Sequence, residues 1–219
     1  MIGDAPPFVF VHVPRTGGTS VETALADLAR TPVGYTAGGN TVVEHKHEPA
    51  RRLRALLGHE AWERSFTFAV VRDPFERMLS DYHFFRSVGP SLYPEFSERE
   101  RSLTDGALAL PLGRWLAAHA DDLSMCQLDY LADESGEVIV DEVCRFEALA
   151  DGFAGVCRRL GVERALPHLN ASARPSLAEA YDPDSVELVA RYCERDLQHF
   201  GYGRPDLAVP GAALRVTTR

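Results

Sequence analysis

Phe8-Val9-Phe10-Val11-His12-Val13 is almost unbroken in apolar and β-branched side chains. A strand buried on both faces of a parallel sheet reads this way. Pro14 closes it and a polar turn follows, Arg15 to Ser20. Val21, Ala24, Leu25 and Leu28 then recur at helical spacing, which predicts a helix from Gly18 or Thr19. Glu48 to Leu57 predicts a second helix, with Leu53, Leu56 and Leu57 apolar and Arg51, Arg52 and Arg54 elsewhere on its surface. Phe66 to Val71 predicts a second short buried strand. Asp73 next reads as an N-cap, with Pro74 at the first helical position. Phe75, Met78, Leu79, Tyr82 and Phe85 give that helix an apolar face.

Leu103 to His119 reads as helical, interrupted at Pro111 and Gly113, and Glu137 to Phe146 as a third strand. Leu149, Phe153, Val156 and Leu160 mark a helix that Gly161 terminates. A last helix opens at Asp182-Pro183 and carries Val186, Val189, Cys193 and Leu197. Strand, loop and helix in repeated succession predict an α/β fold with a mainly parallel sheet. A length of 219 residues favours one domain, placed at residues 1–203, with 204–219 as a flexible C-terminal tail.

Composition narrows the class. An apolar fraction of 45% and a charged fraction of 25% are those of a globular protein. The net charge of −9 counts against non-specific nucleic-acid binding. Cys126, Cys144, Cys157 and Cys193 form no CxxC pair and read as reduced, mostly buried thiols. The first apolar run, Phe8 to Val13, is too short for a signal-peptide core or a membrane span. A soluble, cytoplasmic protein with no membrane span is the expectation; the oligomeric state is not readable.

Two junctions carry candidate chemistry. In Pro14-Arg15-Thr16-Gly17-Gly18-Thr19-Ser20, the glycines let the backbone approach an anion, and the following helix start directs N–H groups and its dipole at it. Arg15 adds a cation, and Thr19 and Ser20 add hydroxyl donors. The spacing is not GxxxxGK[ST], so this is not the nucleoside-triphosphatase loop. At the second junction, Arg72 ends a strand where ligands of open α/β sheets collect, and Ser80 lies on the helix beyond it. An Arg and a Ser there suit a second, separate phosphate.

The first loop resembles the 5′-phosphosulfate loop, PKTGGTS, of sulfotransferases that use 3′-phosphoadenosine 5′-phosphosulfate (PAPS). Val71-Arg72-Asp73-Pro74-x-x-Arg77-x-x-Ser80-x-Tyr82 resembles the 3′-phosphate motif of the same family. Lys46-His47, Arg145-Phe146-Glu147, Leu166 to Asn170 and Phe200-Gly201-Tyr202 extend the likeness over about residues 8–203. These stretches look like the bacterial branch of sulfotransferase family 2, the Golgi-type carbohydrate sulfotransferases. The resemblance implies a P-loop NTPase-like three-layer fold, with a short, mainly parallel central sheet flanked by helices. It also implies that Arg15, Thr16, Gly17, Gly18, Thr19 and Ser20 hold the 5′-phosphosulfate and that Arg72 and Ser80 hold the 3′-phosphate. Ser172 and Arg174 are weaker candidates for a loop closing over the nucleotide. Arg15 stands where the family usually has Lys; it can stabilise charge on the leaving phosphate but cannot donate a proton to it.

Lys46-His47 resembles the family's base position, so His47 is favoured as base, with His45 second. His12 reads instead as a packed, hydrogen-bonded residue near the loop. The implied reaction is in-line sulfuryl transfer to an acceptor hydroxyl, expected on a sugar, with PAP (the desulfated nucleotide) as product and no metal required. Two other readings stand beside it. One is a small-molecule kinase with a degenerate phosphate loop, set apart by magnesium dependence. The other is a nucleotide-binding protein that has lost turnover.

Overall fold

The computed structural model describes residues 1–30, 46–167 and 175–208. Two short strands, β1 (Ile2–Asp4) and β2 (Pro7–Val11), precede helix α1 (Gly18–Ala24). Next come α2 (Ala50–Leu57), α3 (His59–Glu63), β3 (Phe66–Val71) and α4 (Pro74–Ser87). α5 (Gly89–Leu92), α6 (Glu98–Ala109), α7 (Leu112–Ala118), α8 (Leu128–Leu131) and β4 (Glu142–Arg145) follow. The last helices are α9 (Leu149–Leu160), α10 (Leu177–Ala180), α11 (Pro183–Tyr192) and α12 (Glu194–Phe200).

The chain divides into two compact units, one of residues 1–72 and 127–171, the other of residues 73–126 and 172–219. The first holds a four-stranded sheet in the order β1-β2-β3-β4. β1 runs antiparallel to β2, while β2, β3 and β4 are mutually parallel, in register at Phe10↔Phe68 and Val70↔Cys144. Phe8, Phe10, Phe68 and Val70 pack with Val21 of α1, with Leu25 just after that helix, and with Phe153, Val156 and Leu160 of α9. Val9, Val11, Ala69 and Val71, on the alternate face, are buried too. Both faces are therefore covered, which is why the strands read as continuous apolar runs. The α/β class predicted from the sequence is the one observed.

The second unit is helical. Phe75, Met78, Leu79, Tyr82 and Phe85 of α4 pack against Leu103, Leu112, Trp115, Leu116, Val186 and Val189. Trp115 is fully buried, and its indole N–H donates to the Leu103 carbonyl at 2.9 Å. Asp73 caps α4 as predicted, its carboxylate accepting from the N–H groups of Phe75 and Glu76.

Three expectations shift. β1 was not anticipated. The third strand is confined to Glu142–Arg145, because Asp133 closes a turn onto Ser135 and Glu137, and Asp141 turns its carboxylate onto Thr67. The last predicted helix breaks at Cys193 into α11 and α12. Of the predicted tail, residues 209–219 lie outside the described residues. No helix among the described residues is long and apolar enough to cross a membrane.

Candidate functional site

In the first unit, the carboxyl ends of three parallel strands converge on one polar cluster. After β2 the chain runs through His12, Val13 and Pro14 into the loop. Arg15 has φ 65°, the one non-glycine residue in the left-handed region among the described residues. For an L-residue that conformation costs about 1 kcal/mol, so the surroundings must impose it. Thr16 is fully buried, and its hydroxyl donates to the Val13 carbonyl at 2.9 Å. The Thr16 side chain thus shapes the turn, and an anion would meet this residue through its backbone.

Gly17 and Gly18 are required by space as well as by conformation. Gly17 has φ 83°, and a Cβ there would stand 3.0 Å from side-chain carbons of Leu149 and Phe146. A Cβ on Gly18 would stand 2.2 Å from the His12 ring. The imidazole of His12 therefore lies over the first residue of α1. Ser20 is buried in the first turn of that helix, and Thr19 is half-buried beside it.

Arg72 follows directly on β3. Its backbone is clamped by Gln127, whose side chain accepts from the Arg72 N–H at 2.9 Å and donates to the Arg72 carbonyl at 2.8 Å. The Arg72 guanidinium lies 4.2 Å over the Phe146 ring, and its Nη1 donates to the Arg15 carbonyl at 3.3 Å. Arg72 thereby ties the ends of β2, β3 and β4 together and is drawn against the glycine-rich loop. Ser80, its proposed companion, is a buried residue of α4 in the second unit.

His12, Glu22, Lys46 and His47 form the other half of the cluster. The Nδ1 of His12 lies 2.8 Å from Oε1 of Glu22, and Nζ of Lys46 lies 3.3 Å from Oε2. His47 places Nδ1 2.9 Å from the His12 carbonyl, with its ring edge-on to the His12 ring at 4.6 Å between centroids. A carbonyl only accepts, so Nδ1 of His47 carries the proton. In the neutral ring Nε2 is then the nitrogen with the open lone pair.

The electrostatics favour that neutral form. Burial, followed by the proximity of the His12 ring, lowers the His47 pKa from 6.5 to about 3. Part of the residue's surface meets solvent, and the lowered pKa keeps the imidazole neutral at pH 7. Burial also lowers the His12 pKa, against the opposing pull of Glu22. Burial alone would raise the Glu22 pKa, but the hydrogen bond from His12, with His12 and the Lys46 ammonium beside it, outweighs it and brings it to about 2. Glu22 is thus a carboxylate, paired with the Lys46 ammonium.

The structure brings Arg15, Thr16, Gly17, Gly18, Thr19, Ser20, Arg72 and His47 into one unit around one end of one sheet. His45, Ser172 and Arg174 lie outside the described residues. Sequence reasoning missed Glu22, Gln127 and the contact role of Phe146. The arginines that the sequence places on the surface of α2 are engaged within the unit: Arg51 donates to the Asp129 carbonyl at 2.9 Å, Arg52 pairs with Glu48 and Arg54 with Glu134. Arg77, part of the second motif, is also turned inward. It is 1% exposed and donates to the carbonyls of Ser124 and Met125. Among the described residues, no three His, Cys, Asp or Glu side chains gather as a metal-binding group.

An anion-type loop at the end of a buried parallel strand thus has a cation drawn against it and a neutral imidazole anchored beside it, at the strand ends where ligands of α/β sheets collect. Residues 1–104, from β1 into α6, match the Sulfotransferase family, and this segment is what the chain shares with it. That match supports a sulfotransferase, a transferase whose reaction implies a hydroxyl-bearing acceptor. No curated protein and no solved structure matches the chain.

Proposed function

We propose that the protein transfers the sulfuryl group of PAPS to an acceptor hydroxyl, on a carbohydrate or glycoconjugate, with His47 as the base. The observation that carries this reading is the anchoring of His47 on the His12 carbonyl, at the strand end that leads into the Arg15–Ser20 loop. That contact puts an acceptor nitrogen next to an anion-binding turn. The family's P-loop-like arrangement fits the parallel β2-β3-β4 order, and the free thiols of all four cysteines fit a cytoplasmic setting.

The donor substrate is held, in this reading, by the loop backbone and Arg15 at its 5′-phosphosulfate, with Arg72 and Ser80 assigned to the 3′-phosphate. The acceptor oxygen attacks sulfur from the side opposite the bridging oxygen. An oxygen–sulfur bond forms, and the bond from sulfur to that bridging oxygen breaks. The electron pair leaves with the phosphate of PAP, whose charge Arg15 stabilises. The acceptor proton passes to Nε2 of His47, and the imidazolium returns it to water. Most of the rate enhancement comes from positioning and charge stabilisation, as in phosphoryl transfer.

Thermal shift with PAP tests the donor assignment, with ATP plus magnesium as comparator. Binding of PAP at a hundredfold excess over Kd stabilises by about 2.7 kcal/mol. Arg72→Ala and Ser80→Ala should weaken PAP more than adenosine 5′-phosphosulfate, which lacks the ribose phosphate. No shift with PAP, or a larger one with ATP and magnesium, removes the donor assignment and favours the kinase reading.

A further inference from the structure

Glu22 has no part in donor binding or proton transfer as described above, yet it is the one buried carboxylate among the described residues of the first unit. We infer that Glu22 is a positioning residue for the base: its carboxylate ties His12 to Lys46, and these two anchors hold the His47 imidazole in the tautomer whose Nε2 accepts a proton. The inference rests on the reading of His47 as the base.

The geometry runs from one residue to the next. Glu22 sits on α1 with 4% of its surface exposed. One oxygen meets Nδ1 of His12 at 2.8 Å, and the other meets Nζ of Lys46 at 3.3 Å. A buried carboxylate is disfavoured unless it is paired, and here a partly buried ammonium supplies the charge. Lys46 is covalently next to His47, so fixing its side chain restrains the backbone that carries the imidazole. His12 supplies the second restraint twice over: its carbonyl accepts from Nδ1 of His47, and its ring packs edge-on against the His47 ring. Without the carboxylate, His12 loses the acceptor that orients its own ring, and Lys46 loses its anchor. The groups facing His47 are His12, Lys46 and Glu22, and their charges act on it in opposite directions. Glu22 favours the imidazolium, and Lys46 disfavours it.

Opposed charge effects give a test that a merely structural role does not satisfy. In the full chain, nitrogen NMR of the His47 ring reads the tautomer, and the pH dependence of kcat/KM reads the base. Wild type should show the Nδ1–H form at neutral pH. Glu22→Gln keeps an acceptor for His12 but loses the charge. It should lower kcat/KM about tenfold, the scale on which outer partners that orient functional imidazoles act, and move the acid limb to lower pH. Lys46→Met should move that limb to higher pH. Both should leave PAP affinity within about twofold of wild type. Glu22→Asp, which keeps the charge on a shorter reach, should recover part of the loss. If tautomer and acid limb stay at their wild-type values in both variants, while activity falls only in step with thermal stability, Glu22 is an internal ion pair and the proposal is overturned. Failure of the base reading looks different. His47→Ala would then leave transfer intact, while the His47 tautomer in the other variants would still respond to Glu22.

Discussion

Each unit buries a cluster of charged side chains, and the two clusters are wired differently. In the first, Glu22 binds His12 and Lys46, side chain to side chain, and His47 ends the chain of contacts with one nitrogen still able to accept. In the second, Arg77 spends its Nη2 on the backbone carbonyls of Ser124 and Met125. Nearby, the Tyr181 hydroxyl donates to the Phe75 carbonyl at 2.8 Å, and Asp73 caps two backbone N–H groups of α4. Backbone groups do not titrate or leave, so these contacts of Arg77 are architecture. The first ends on a titratable group with solvent access, so it can do chemistry. A buried arginine within a recognisable motif is thus no evidence by itself that the residue touches a ligand.

The sharpest way to break this contrast is to remove one residue from each cluster. His47→Ala should lower kcat and kcat/KM together by roughly 10²–10⁴-fold while PAP affinity and melting temperature hold. His45→Ala is the companion variant. If it is the severe one and His47→Ala the mild one, the base moves by two residues, and if neither slows transfer the histidine mechanism is discarded. Arg77→Leu should do the reverse. Leaving the carbonyls of Ser124 and Met125 without their donor costs on the order of 3 kcal/mol of stability, read by urea denaturation, with PAP affinity per folded molecule little changed. A large loss of PAP affinity at unchanged stability would return Arg77 to the ligand site.

A smaller effect tests the packing under the loop. Gly18→Ala drives a methyl into the His12 ring, where the separation would be 2.2 Å. The rearrangement should cost about 1–3 kcal/mol and should disturb His47 through His12, so transfer should fall along with stability. If Gly18→Ala lost donor affinity alone, with the melting temperature intact, the glycine would serve the anion rather than the imidazole.

The smallest expected effect is the pH profile of stability. The pKa values of His12 and His47 are both lowered in the folded chain. As pH drops below about 6.5, the unfolded chain binds their protons first, and stability falls. The slope is about 1.4 kcal/mol per pH unit for a fully buried imidazole. His47, open to solvent over part of its surface, contributes less than His12. Glu22 acts in the same direction further down, because its pKa is about 2 against an ordinary 4.5. Its contribution is complete above 4.5 and is lost as pH falls toward 2. Urea titrations between pH 4.5 and 7.5 should show this slope in wild type and a shallower one in His12→Gln. A flat wild-type profile contradicts the assignment of a neutral buried His12.

Sequence alone determined the pieces whose cause is local. β3 occupies the predicted Phe66–Val71, α9 ends at Gly161 with φ 69°, and Asp73-Pro74 opens α4, because apolar runs, left-handed glycines and caps act within a few residues. The loop and its His47 neighbour were legible too, since they are contiguous motifs. Tertiary structure alone decided the rest. β1 is three residues with one glycine and exists through its pairing with β2. Glu22 reads in sequence as one more polar position on a short helix. Its partners, His12 and Lys46, stand ten positions before it and twenty-four after, and only the folding of the β2–α1 turn and the entry to α2 onto one sheet end brings them within hydrogen-bond reach. Whether a buried charge serves chemistry or architecture depends on what stands opposite it, and that is set by contacts far apart in the chain.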